Sequence, residues 1–74
     1  MTTQRTPRLL DLVAVLQRPA GTELEVGDVG TVVEVLVPDA VEVEFLDRDG
    51  KTRCVATLST ADVLVLNRQR TPVG

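Results

Sequence analysis

Five places in this 74-residue chain carry residue types that can do chemistry. Glu42 and Glu44 lie two apart in Val41-Glu42-Val43-Glu44-Phe45, so on a strand their carboxylates share one face, about 7 Å apart. That spacing suits a pair of acid–base carboxylates, but a glycosidase also needs a cleft to seat its sugar. A solvated strand or an acidic binding surface accounts for the pair with fewer residues. Asp47-Arg48-Asp49-Gly50 resembles the start of a calcium loop, yet Leu58 stands where the bidentate glutamate belongs and the glycine comes too early. It reads as a hairpin turn, with Gly50 supplying a positive φ. Gly27-Asp28-Val29-Gly30 has the glycines of a phosphate loop but no lysine and no following helix, and Asp28 would repel the phosphate. That too reads as a turn.

Cys54 is the single thiol, and the chain has no histidine, so no Cys–His nucleophile pair can form. A small hydrophobe sharing a strand face with Ala56 is its expected role. Arg5, Arg8, Arg68 and Arg70 lie near the two ends and could form a small basic patch for RNA; solubilising tails explain them more simply.

Charge is unevenly spread around these candidates. Residues 1–18 carry net +2 (three arginines, one acid), and residues 19–50 carry net −8 (nine acids, one arginine). Residues 51–74 return to net +3 (three arginines and a lysine, one acid). An acidic middle disfavours nucleic acid. The apolar side is equally skewed, with fourteen valines and ten leucines but one aromatic, Phe45. One ring builds no proline-rich groove, no methyl-lysine cage and no base-stacking platform.

The elements that must hold these residues are short. Leu9–Leu16 is a nearly continuous apolar run read as a first strand, opened by a turn at Leu9–Asp11. Gly30–Val37, the strictly alternating Val41–Phe45, Thr52–Leu58 and Val63–Leu66 supply four more. Ser59-Thr60-Ala61-Asp62 has capping chemistry but room for only a 3₁₀ turn. Five short strands and tight turns point to an all-β fold, a small closed barrel with a core containing Val33, Val43, Phe45, Ala56 and Leu64. A five-stranded barrel of the OB type needs longer strands and a helix this chain cannot fit. Residues 1–8 are expected as a flexible lead-in, 9–66 as the barrel and 67–74 as a flexible tail.

Length limits what the domain can be. A chain of this size buries roughly 60% of its unfolded surface, and one cysteine without histidine supplies neither disulfide nor common zinc set. No cofactor motif is present. No apolar run reaches the roughly 20 residues of a membrane helix, and the chain reads as a soluble cytoplasmic protein.

The run Leu24-Glu25-Val26-Gly27-Asp28-Val29-Gly30-Thr31-Val32-Val33-Glu34-Val35 resembles the opening of SH3-like barrels, including KOW modules and the nitrile hydratase β-subunit barrel. Taken with Leu10–Leu16, Val41–Asp47, Asp49–Thr52 and Thr57–Leu58, it resembles a bacterial family of short stand-alone SH3-like proteins of unknown function. Cys54 stands where a tyrosine-like aromatic is common in that family. The resemblance implies a five-stranded SH3-like barrel and an antitoxin, immunity or other small accessory role.

The expected function is therefore a non-catalytic protein-binding module. Glu34, Asp39, Glu42, Glu44, Asp47 and Asp49 would form an acidic face for a basic or toxin-like protein. A KOW-like accessory bound to nucleic acid or the ribosome is the alternative, disfavoured by charge sign and the missing aromatics. An enzyme is the least supported reading, since the chain offers no histidine base and little room for a pocket.

Overall fold

A computed structural model describes residues 6–67. The chain forms five strands in one antiparallel sheet: β1 (Leu12–Val15), β2 (Val29–Leu36), β3 (Ala40–Leu46), β4 (Thr52–Ser59) and β5 (Val63–Asn67). A 3₁₀ turn at Thr60–Asp62 precedes β5, and Ser59 caps it by accepting the Ala61 N–H at 3.2 Å. The expected all-β fold, with five strands and one 3₁₀ turn before the last, is the one formed. Spatial order is β4-β3-β2-β1-β5, so β4 and β5 lie at opposite edges and do not pair with each other.

One face of every strand supplies the core. β3 shows why most plainly: Val41, Val43 and Phe45 are buried, while Glu42 and Glu44 between them are half-buried on the opposite face. Val13 and Val15 of β1, Val32 of β2, Leu58 of β4 and Val63 of β5 meet them, and Cys54, Ala56 and Val65 pack against this cluster. β-Branched valine suits such a pleated, one-sided surface.

Two residues expected in the core lie outside it. Val33 is 39% exposed because β2 carries an irregularity opposite β3, where pairing steps from Val32↔Val43 to Glu34↔Glu42. Val33 is the extra residue of that bulge and loses its inward position. Leu64 is 42% exposed because β5 pairs with β1 through Val15↔Val63 and Val13↔Val65, which turns the valines inward.

The first strand is shorter than the apolar run that suggested it. Leu9 and Leu10 form a turn, with Leu10 at φ 71, and this turn is fastened from several sides. Arg8 N–H donates to Asp11 Oδ2 at 2.8 Å, Asp11 N–H to the Arg8 carbonyl at 3.0 Å, and Leu10 N–H to the Val32 carbonyl at 2.8 Å. A leucine in left-handed backbone costs on the order of 1–2 kcal/mol, offset here by these bonds. Asp11 and Pro7 are both buried, so the described part of the lead-in packs on the domain. Residues 1–5 and 68–74, including most of the expected lead-in and tail, lie outside the described residues.

Between β1 and β2 the chain makes a long loop anchored by Leu24, which is wholly buried. Its alternation with Glu23 and Glu25 marks the inward position without a strand being formed. Gly30, where β2 begins, is also buried, and its missing side chain allows β2 to approach β3. A Cβ there would lie 2.6 Å from Val43 Cγ1, 2.8 Å from the Glu44 carbonyl oxygen and 2.9 Å from Phe45 Cδ1.

Candidate functional site

The registers decide which acids come together. Glu34 on β2 pairs directly with Glu42 on β3, and Glu44 follows two residues along β3 on the same face. Opposed residues on antiparallel strands hold their Cβ atoms about 5 Å apart, and like charges in that position are destabilising. Among the described residues, no cation forms an ion pair with these three glutamates. Glu44 Oε2 accepts a hydrogen bond from the Thr52 hydroxyl, which fixes its direction.

The other three expected acids lie elsewhere. Asp39 sits in the turn between β2 and β3, and its carbonyl accepts the Thr60 N–H at 2.9 Å. Asp47 and Asp49 occupy the β3–β4 turn at the opposite end of β3, roughly 26 Å from Asp39 by strand rise. Asp47 Oδ1 accepts the N–H groups of Asp49 at 2.8 Å and Lys51 at 3.0 Å, and Gly50 has φ 81. That carboxylate holds the turn closed. The six acids are thus a central trio with one outlier at one end and two at the other. No group of three or more metal-ligating side chains is assembled among the described residues.

Gly27–Gly30 is structural in the same way. Gly27 N–H donates to the Val15 carbonyl at 2.8 Å, Val15 N–H donates to the Asp28 carbonyl at 2.9 Å, and Gly27 has φ 95. Asp28 Oδ2 accepts the Glu25 N–H at 3.0 Å. The motif's glycines and aspartate shape and fasten the loop to β1, as its turn reading requires.

A depression of about 270 Å³ lies between that loop and β4, lined in part by Leu24, Arg53, Cys54 and Ala56. Arg53 closes one side of it. The β3–β4 pairing is irregular between Phe45↔Cys54 and Leu46↔Thr52, leaving Arg53 as the bulged residue. Its guanidinium reaches Asp28 Oδ2 at 3.5 Å and the Glu23 carbonyl at 3.2 Å. Nothing in the local sequence signals this pairing, because it joins β4 to the distant loop between β1 and β2. Both side chains are well solvated, at 40% and 30% exposure. Arg53→Ala is therefore expected to cost less than about 1 kcal/mol, read from the midpoint of a urea melt. Cys54, a free thiol, is half-buried against the core rather than fully enclosed. Of the four arginines expected near the ends, Arg8 is exposed and the other three lie outside the described residues.

Fold and site together define a small all-β domain with a carboxylate trio on the outer face of its sheet. Residues 9–65 match the family described as "Domain of unknown function (DUF4926)", and the chain belongs to that family. No curated protein and no solved structure matches it. No helix among the described residues is long and apolar enough to cross a membrane.

Proposed function

We propose that this chain is a non-catalytic protein-binding module that docks a basic partner through Glu34, Glu42 and Glu44, with Asp39, Asp47 and Asp49 extending the negative potential to both hairpin ends. The direct opposition of Glu34 and Glu42, with no cation paired to either among the described residues, carries this reading. A solvated strand has no need of a like-charge pair at the register position where it costs most. An external cationic surface turns that cost into attraction and accelerates encounter.

The five-stranded antiparallel sheet and the 3₁₀ turn before β5 support the SH3-like form of the fold. The free Cys54 thiol suits a reducing cytoplasm. An antitoxin or immunity role fits the same chemistry: carboxylates that imitate phosphates would occlude the basic site of a nucleic-acid-cleaving toxin.

The expected outcome of Glu42→Lys is a domain about 0.2–1 kcal/mol more stable, because the Glu34–Glu42 repulsion becomes a cross-strand attraction. The Glu42→Lys/Glu44→Lys variant should nevertheless associate about tenfold more slowly at low salt with the basic protein partner, and with a flatter salt dependence. Stopped-flow association from low to high salt measures both. Rates indifferent to salt and to the two substitutions would sink the acidic-face reading. Salt-sensitive binding of RNA by the isolated domain would replace it with the nucleic-acid alternative.

A further inference from the structure

The outer face of the sheet has a second half that the carboxylates do not occupy. Leu64 on β5 lies beside Ala14 on β1, and Ala14 lies beside Val29 on β2. One step along the strands, Leu12 sits between Thr31 on β2 and the Leu66–Asn67 irregularity on β5. Leu12, Val29, Val33, Leu64 and Leu66 are each 39–50% exposed. The row through Leu12 and Thr31 continues to Glu44, and the next row pairs Glu34 with Glu42. An apolar strip thus runs across β5, β1 and the start of β2, bordered along one side by the glutamate trio. Strands about 4.8 Å apart place Leu12 and Glu44 roughly 10 Å from one another, the diameter of an α-helix.

We infer that this strip seats an amphipathic helix of a partner protein, its apolar stripe on Leu12, Val29, Leu64 and Leu66 and a Lys/Arg flank over Glu34, Glu42 and Glu44. The inference rests on the acidic-face reading for the flank and adds the apolar contact that gives the complex its area. The charge border selects the occupant. An anionic membrane or a nucleic acid would meet the same carboxylates and be repelled. A second copy is disfavoured by area, because an exposed apolar strip of a few hundred Å² falls well below the roughly 800 Å² per partner of a stable interface. Widening a self-contact would bury the acidic flank of both copies, and the one cation on β4, Arg53, is already engaged with Asp28 and Glu23. A helix needs only a short row of anchors at i, i+3, i+4 and i+7, and it carries its own cations.

The test uses two synthetic helical peptides with the same leucine stripe, one flanked by arginine and one by glutamate, titrated into the isotope-labelled protein. The arginine-flanked peptide is expected to bind about tenfold more tightly and to shift the amide signals of β1, β5 and the start of β2. Leu12→Ser/Leu64→Ser should weaken it about tenfold, and Glu42→Lys/Glu44→Lys should erase the preference for arginine. Leu66→Ser serves as the apolar probe if the double leucine variant loses its dispersed β3–β4 signals. Loss on the glutamate variants alone overturns the apolar seat and leaves the acidic reading standing. Loss on the leucine variants alone overturns the charge-guided orientation and the acidic reading with it. Binding of neither peptide overturns the inference. So does sedimentation showing self-association that Leu66→Ser abolishes, or uptake of the protein by phosphatidylserine vesicles.

Discussion

Gly30→Val is expected to lower stability by about 3 kcal/mol or more, enough to remove much of the margin of a domain this small. The cause is crowding. The new Cβ would lie 2.8 Å from the Glu44 carbonyl oxygen, a backbone atom that cannot swing away, as well as 2.6 Å from Val43 Cγ1 and 2.9 Å from Phe45 Cδ1. Relief requires β2 and β3 to separate, and that loosens the pairing that sets Glu34 against Glu42. A melting temperature unchanged from wild type would show that β2 does not approach β3 as closely as described.

Phe45→Ala is the second large effect, expected at about 3–5 kcal/mol. The ring is 1% exposed, is the largest buried side chain and lies against the position where Gly30 lacks one. Its removal opens a cavity under the β2–β3 pair that the surrounding valines are too short and stiff to fill. The measurement is a denaturant melt of the variant, and an unchanged midpoint would place the ring outside the core.

These two positions were legible in the sequence for different reasons. Phe45 closes a strictly alternating segment whose glutamates mark the solvent side, so its inward phase follows from period two. Gly30 stands in a Gly-Asp-x-Gly run where a bend was expected, although close approach rather than unusual backbone is what requires it. Val63–Leu66 offered no such phase. With four apolar residues in succession, only the pairing of β5 with β1 decides that Val63 faces inward and Leu64 outward. The bulge at Val33 was equally hidden, since an extra residue in a valine-rich strand changes nothing in composition.

The candidate site divides along the same line. That Glu42 and Glu44 share a face follows from their spacing. That Glu34 opposes Glu42 depends on the bulge between them and Val32, which no local pattern reports. The apolar half of the outer face was illegible for a broader reason. Valine and leucine look alike to a periodicity argument whether they face a core or a partner, and both sides of β1 carry them.

The strand order also bears on how the chain is made. β2, β3 and β4 follow one another and pair as neighbours, whereas Val13 of β1 pairs with Val65 of β5 across nearly the whole described chain. During synthesis the first strand emerges before the other four, yet its second partner is the last of the five to follow. Until then one side of β1 has only solvent for its backbone groups, and Val13 and Val15 lack part of their cover. The finished domain is thus a structure whose opening residues wait for its closing ones.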